Sequence, residues 1–162
     1  MTARLTTVET PAGIVPTYEC TFEIATGKAY FVGTGGYGNR VVASVGGGTV
    51  TGERIRGTVV GPGADWVLFG GDGYGRVDVR MQIATHDGAL VYVQYLGLLE
   101  MNDKVSAALV DTAAETAFDD HYFVTTPRME CGDERYEWVN HTMFVARGRL
   151  TRSGVCYEVY RI

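Results

Sequence analysis

Hydrophobic and polar residues alternate along most of the chain. In residues 76–86, apolar side chains at 77, 79, 81 and 83 alternate with polar ones at 78, 80 and 82. A period of two is typical of a β-strand with one buried face. Nine segments rich in Val, Ile, Tyr, Phe and Thr, separated by Gly, Asn or Asp, are predicted as strands: residues 18–24, 28–33, 40–45, 54–60, 76–86, 89–97, 121–131, 138–149 and 155–162.

One segment departs from the strand pattern. Asn102 or Asp103 can cap a short helix, in which Val105, Ala108 and Leu109 share a face. The 22 glycines fit an all-β chain, because tight turns, bulges and barrel corners need residues without a Cβ. At 162 residues the chain has the usual size of one domain, and we expect residues 1–162 to form a single all-β domain.

Composition narrows the classes of function. The net charge is −5 and no basic stripe is present, so we expect no nucleic-acid partner. We expect no membrane association and a cytoplasmic location, because there is no secretory signal pattern and no apolar run long enough to span a bilayer. The three cysteines are widely spaced, which predicts free thiols and no metal site. No motif indicates a cofactor.

Asp87-Gly88 predicts a two-residue type I′ turn between two alternating strands. That turn would pair Arg80 with Tyr95 and Asp78 with Gly97, and so put an acid, a base and a phenol on one face of the hairpin. Two interpretations of this polar face remain open. It can face water while the apolar face fills a core, or it can line the polar interior of a closed barrel.

Three stretches resemble the family called domain of unknown function 3237. They are VGTGGYGNRVVASVGGGTVTGERIRGTVVGPGADW, DGYGRVDVRMQIATHDGALVYV and YFVTTPRMECGDERYEWVNHTMFV, within a likeness that runs from about Tyr18 to the C-terminus. The resemblance implies a single antiparallel up-and-down β-barrel of about eight to nine strands with one short helix, enclosing a cavity. It also implies that some relatives are cofactor-independent cyclases of natural-product pathways, which act on phenolic or polyketide intermediates.

The same resemblance supplies candidate site residues. It implies catalytic roles for Asp65, Arg80 and Arg128. It also carries over Trp66, Glu130, Trp138 and Asn140 as residues expected to bind substrate, and the polar face of the hairpin adds Asp78 and Tyr95 to them. Tyr95 and Val124 stand where relatives often carry other residues, which indicates a pocket shaped for a different ligand.

Asp65 and Trp66 follow the break Gly61-Pro62-Gly63, which could turn the chain across a barrel mouth. Neighbours in a strand point to opposite sides, so only one of the two can face the interior. If that residue is Asp65, burial would raise its pKa unless an arginine lies close. Asp65 could equally cap turn amides while Trp66 packs.

Two functions are compatible with these residues. The first is a cofactor-independent isomerase or cyclase acting on a small aromatic or polyketide-like molecule, with Asp65 as base and the two arginines as anion stabilisers. The second is a barrel that binds a small molecule without converting it. A homodimer or higher oligomer is also expected if the polar face lines the barrel, because the apolar face, including Leu90, Leu96 and Leu98, would then be exposed.

Overall fold

The computed structural model describes residues 13–162. Within that range nine strands, one α-helix and one 3₁₀ helix succeed one another: β1 (Thr17–Gly35), β2 (Gly38–Gly52), β3 (Gly57–Asp65), β4 (Leu68–Phe69), β5 (Tyr74–Thr85), β6 (Leu90–Glu100), α1 (Asp103–Val110), β7 (Phe123–Glu130), the 3₁₀ helix (Glu134–His141), β8 (Phe144–Thr151) and β9 (Gly154–Arg161).

The strands close into one antiparallel barrel. They pair in the order β1, β9, β8, β7, β6, β5, β3, β2, and β2 pairs back to β1. The two-residue strand β4 pairs with β2 and β5 and extends the wall beyond the end of β3. Closure pairs the edges that an open sheet would expose. The prediction of an all-β, up-and-down barrel with one short helix is confirmed.

Apolar side chains fill the barrel. Val77, Val79, Met81 and Ile83 of β5 are at most 4% exposed, while the polar residues between them are partly exposed to solvent. The largest fully buried side chains, all below 2% exposed, include Phe22, Ile55, Met81, Ile83, Met129 and Phe144. The polar face of the β5–β6 hairpin therefore faces water, and the alternative of a polar interior lined by that face is wrong.

The turn between β5 and β6 has three residues rather than two. The Thr85 amide donates to the Ala89 carbonyl across 2.9 Å, and Gly88 adopts a φ of 92°. Val79 therefore lies opposite Tyr95, and Asp78 lies opposite Leu96. The predicted pairing of Arg80 with Tyr95 is wrong by one residue, and a one-residue slip moves each side chain of one strand to the other face.

Other predicted bounds also shift. β1 is one strand with register shifts near residues 25–29 and near Gly33, not two separate strands. Residues 138–141 belong to the 3₁₀ helix, whose cap Asp133 accepts the amide of Arg135 across 3.0 Å, so β8 begins only at Phe144. The helix is confirmed, with Asn102 capping the amide of Val105.

The segment Gly61-Pro62-Gly63 is a bulge inside β3 and not a turn across the mouth. β3 pairs with β5 on both sides of it, at Val60 and again at Ala64. Position 63 requires glycine, because a Cβ there would lie 2.6 Å from the Arg80 carbonyl oxygen. The bulge re-aims the last residues of β3 without ending the strand.

An ion-pair cluster joins β1, β9 and the β2–β3 connection. The buried carboxylate of Glu19 accepts hydrogen bonds from Arg54 and from Arg161, the latter across 2.8 Å. Burial alone would raise the pKa of Glu19, but hydrogen bonds from the two guanidinium groups hold it below its ordinary value. The carboxylate is therefore ionised near neutral pH.

Candidate functional site

Asp65 faces the barrel interior. It lies directly opposite Val79, which is 3% exposed, and residues paired across strands share a face. Its neighbour Trp66 points outward and is 36% exposed, with the Arg80 guanidinium 5.3 Å from the ring centroid. Of the two orientations that the sequence leaves open, the structure has Asp65 inside and Trp66 outside.

The environment of Asp65 disfavours its charged form. Burial raises the pKa of the carboxyl from 3.8 to about 6, and the nearby charge of Asp78 acts in the same direction. Two weaker effects oppose the rise: the Asp78 amide donates to Asp65 Oδ1 across 3.0 Å, and the Arg40 charge lies near. Asp65 therefore exchanges its proton close to neutral pH, where general bases are most effective.

Two buried phenols share the barrel interior with this carboxyl and are affected by its charge. Tyr95 and Tyr157 are each 3% exposed, and their ring centroids are 5.3 Å apart in an edge-on arrangement. Burial raises the pKa of both hydroxyls, and the negative charge of Asp65 raises both further. Both side chains are therefore neutral hydrogen-bond donors throughout the physiological pH range.

Strand register explains why the two rings meet. Tyr95 reaches the inner face because it lies opposite Val79, whereas Tyr157 lies opposite Phe22 on one side and Gly148 on the other. A Cβ on Gly148 would lie 2.6 Å from the Phe123 ring and 2.8 Å from the Tyr157 ring. Gly148 thus leaves the space that these rings occupy.

Thr125 adds a hydroxyl to the same face. It is 1% exposed and pairs with Gly97, which is two residues from Tyr95 on β6. Its Oγ1 has no hydrogen-bond partner within residues 13–162. Buried polar groups are normally paired, so an unpaired one suggests a role beyond packing. We call Asp65, Tyr95, Thr125 and Tyr157 the interior polar cluster.

The barrel wall is interrupted next to Asp65. The β2–β3 ladder breaks between Ser44 and Gly48 on β2 and between Val59 and Ala64 on β3. Asp65 follows this break directly and is itself only partly buried. Bulges occur often next to active sites, where they re-aim a side chain.

Two predicted site residues lie on the opposite side of the wall. Asp78 and Arg80 are on the outer face of β5, with Arg80 Nη1 3.0 Å from Asp78 Oδ1 and both side chains more than a third exposed. The expectation that they line the interior is wrong, because the apolar residues that alternate with them on β5 fill the barrel and leave Asp78 and Arg80 on the outer face. Of the residues expected on that polar face, Tyr95 alone lies inside.

Arg128 and Glu130 are also on the outside. They form an ion pair with each other on β7, and their side chains are 67% and 51% exposed. The inner face of β7 carries the neighbouring odd-numbered residues, among them Met129 at 1% exposed. Alternation along β7 therefore separates both residues from the interior polar cluster.

Trp138 and Asn140 belong to the 3₁₀ helix, away from Asp65. The Trp138 ring lies under the Arg54 guanidinium, 3.8 Å from ring centroid to carbon, beside the Glu19 cluster. Asn140 accepts the Cys131 amide across 2.9 Å and donates to the Cys131 carbonyl across 2.8 Å. Both side chains hold the segment after β7 against the barrel.

Replacing Asn140 by alanine should lower the free energy of unfolding by about 1–3 kcal/mol, because the Cys131 amide and carbonyl would both lose their partner. Urea unfolding monitored by tryptophan fluorescence measures this change. His141→Ala, at the neighbouring exposed position, is the control and should change stability by less than about 0.5 kcal/mol. An equal loss in both variants would contradict the bracing role of Asn140.

Tyr157 and Thr125 are not among the site residues that the sequence predicts. Tyr157 alternates with Glu158 and Tyr160 in the last strand, and Thr125 alternates with Val124 and Thr126 in β7. Alternation separates the two faces of a strand, but it does not say which face is inside when both carry polar and aromatic residues. Only the register of the closed barrel assigns them.

Three further observations concern a groove, metal ligands and membrane-spanning helices within the described residues. A groove of about 560 Å³ runs along the outer face of β5, β6 and β7, with Leu96 and Leu98 in its floor and Arg40 and Arg76 at its edge. Within residues 13–162 no three His, Cys, Asp or Glu side chains lie close enough together to hold a metal ion. In the same range no helix is long and apolar enough to cross a membrane.

Comparison with known families agrees with this architecture. Residues 14–162 match the model of the family described as "Protein of unknown function (DUF3237)". The chain belongs to DUF3237. This confirms the resemblance seen in the three stretches that include the Asp65-Trp66 element.

Relatives of this DUF3237 protein have the same fold. A UPF0311 protein from Rhodopseudomonas palustris is 26% identical over 155 residues, which cover 90% of this chain and 94% of the relative. The crystal structure of a conserved protein of unknown function from Rhodopseudomonas palustris has a TM-score of 0.83 at 27% identity, with 93% of this chain and 98% of that chain covered. A β-barrel-like protein from Acinetobacter baumannii has a TM-score of 0.77 at 25% identity, covering 95% and 99%.

The same fold also occurs in an enzyme. The crystal structure of an enzyme from Penicillium herquei has a TM-score of 0.71 at 18% identity, with 96% of this chain and 99% of that chain covered. At this identity the likeness concerns the fold alone.

Proposed function

We propose that this DUF3237 protein is a cofactor-independent isomerase or cyclase acting on a small aromatic or polyketide-like molecule. One observation carries the proposal: Asp65, with a pKa of about 6, shares the barrel interior with two neutral buried phenols. Strongly shifted carboxyl groups with specific polar neighbours are concentrated at catalytic sites. The enzyme from Penicillium herquei is consistent with catalysis on this fold.

Asp65 acts as the general base in this proposal. Its carboxylate accepts a proton from a substrate hydroxyl. The deprotonated hydroxyl oxygen then forms a C–O bond to the end carbon of a double bond that is conjugated with a carbonyl. The electron pair moves to a carbonyl oxygen and gives an enolate, which the protonated Asp65 then protonates at carbon. Every atom of the substrate is retained, so the product is an isomer and no oxidant or reductant is consumed.

Tyr95 and Tyr157 stabilise the enolate by donating hydrogen bonds to its oxygen. Phenol donors in a dry interior are already oriented and need little reorganisation when the charge develops. The two tyrosines, and not Arg80 and Arg128, stabilise the enolate in this proposal, because both arginines lie on the outer face of the barrel wall. The Thr125 hydroxyl supplies one more donor or acceptor for a substrate group.

Binding without conversion is the second candidate function. It is favoured by the outer groove, where arginines at the edge could pair with a carboxylate or phenolate while leucines contact a ring. In that case the interior polar cluster would have no chemical role.

The experiment is incubation of the protein with a panel of phenolic and polyketide-type intermediates, followed by liquid chromatography and mass spectrometry. The proposal predicts a product of unchanged mass and new retention time, absent with heat-denatured protein. A ligand that co-purifies unchanged supports the binding function instead. Conversion accompanied by a change in mass would contradict the isomerase and cyclase chemistry.

A further inference from the structure

The first two strands form a ribbon that projects beyond the barrel. β9 pairs with β1 only as far as Ala25, whereas β1 and β2 remain paired up to Gly35 and Gly38. We call residues 26–45 the arm. Within the described part of the chain, no strand pairs with the outer edge of β1 over residues 27–35.

This edge is apolar and carries little charge, although the register of β1 with β2 shifts between Thr26 and Ala29 and between Phe31 and Gly33. Tyr30, Phe31 and Val32 are 54%, 81% and 70% exposed, and Lys28 is the one charged residue in residues 26–35. Natural edge strands are usually blunted by charges, prolines or short length. A long apolar edge with free backbone groups is a site where another strand can add.

The distribution of charged residues favours a second copy of this chain as the partner of the arm. The chain has a net charge of −5, yet it contains no Asp or Glu between Glu23 and Glu53. The arm is therefore the part of an acidic protein at which two copies can approach without carboxylate repulsion. Most soluble oligomers are symmetric assemblies of identical chains, so a second copy of this chain is a suitable partner for the edge.

We propose that the arm is a dimerisation element, in which β1 of one protomer pairs antiparallel with β1 of its partner about a twofold axis at Phe31. The two Phe31 rings then meet, and each Tyr30 lies opposite a Val32. Aromatic and β-branched cross-strand pairs of this kind stabilise antiparallel sheets. Each Lys28 lies opposite a Thr34, so the two lysines are about 20 Å apart along the strand and screened from each other at physiological salt.

This interface differs from the one expected from the β5–β6 hairpin. That expectation placed Val79 and the other apolar residues of β5 on the outside together with Leu90, Leu96 and Leu98. The β5 residues fill the barrel, whereas the three leucines are 59%, 55% and 41% exposed. The arm begins next to the interior polar cluster, because Ala29 pairs with Ala43 and Ala43 pairs with Asp65. A dimer formed here would brace the wall that carries Asp65, and its existence does not depend on the proposed chemistry.

Cysteine cross-linking tests the proposal. Cys20, Cys131 and Cys156, the only cysteines of the chain, are buried, so a cysteine at Phe31 supplies an exposed thiol. Under mild oxidation, Phe31→Cys should form a covalent dimer at least about tenfold faster than Val110→Cys, a control that is 86% exposed on α1. Equal rates in the two variants would overturn the proposal.

Light scattering gives an independent result. The wild type should be a dimer at about 100 μM, and Phe31→Asp should weaken dimerisation at least about tenfold. Because Phe31 is 81% exposed, its replacement should leave the circular dichroism spectrum unchanged. A monomeric wild type, or a dimer that Phe31→Asp leaves intact, overturns the proposal. Binding of the monomer to anionic vesicles would assign the arm to a membrane surface instead.

Discussion

Turnover should fall by about 10²–10⁴-fold when Asp65 is replaced by asparagine, the range that a positioned general base contributes. Asparagine keeps the shape of the side chain, and its amide oxygen can still accept the Asp78 amide. It cannot take a proton from substrate. The loss should appear in kcat more than in KM, because the base acts in the transition state.

A matched control separates loss of the base from loss of charge. Asp119→Asn makes the same chemical change at a side chain that is 98% exposed and distant from the interior, and it should retain full turnover. Initial rates of the mass-neutral conversion measure both variants. An Asp65→Asn protein as active as the Asp119→Asn protein would remove Asp65 from the mechanism.

The same substitution should make stability respond differently to pH. Because folding raises the pKa of Asp65 from 3.8 to about 6, the folded protein holds this proton more tightly than the unfolded chain. The stabilising contribution is therefore full below pH 3.8 and is lost as the pH rises through about 6. Ionisation of the folded protein above that pH costs about 2–3 kcal/mol, from about two pKa units.

Asparagine is neutral at every pH and avoids this cost. Asp65→Asn should therefore match the wild type near pH 4 and exceed its free energy of unfolding by about 2–3 kcal/mol at pH 8. Urea unfolding at intervals across this range measures the difference. A difference between wild type and Asp65→Asn that stays constant from pH 4 to 8 would show that the pKa of Asp65 is not raised by folding.

Alternation alone could predict much of the fold. Apolar residues at every second position in β5 are a consequence of a one-sided core, and their burial follows from the sequence. The sequence also predicts that Asn102 caps α1, because the side chain of an Asn in front of a helix can accept a hydrogen bond from an amide of the first turn. Closure into a barrel came from the family resemblance and not from the pattern.

The candidate site was less predictable, because it depends on register. A third residue in the β5–β6 turn moves Tyr95 to the inner face and leaves Arg80 outside, and no composition signal distinguishes that turn from a two-residue one. Tyr157 reaches Tyr95 across the barrel from a strand that follows 50 or more residues later in the chain. Contacts between such distant segments follow from closure and shear, which local patterns do not contain.

Carbon-13 NMR titration of the aspartate carboxyl groups measures the pKa of Asp65 directly, and it needs no substrate. The Asp65 resonance is assigned by its absence from the spectrum of Asp65→Asn, and the exposed Asp119 serves as internal reference. Asp65 is expected to titrate at about pH 6. A midpoint at or below about pH 4, the range of an ordinary aspartate, would contradict a buried carboxyl poised as a base in the barrel interior.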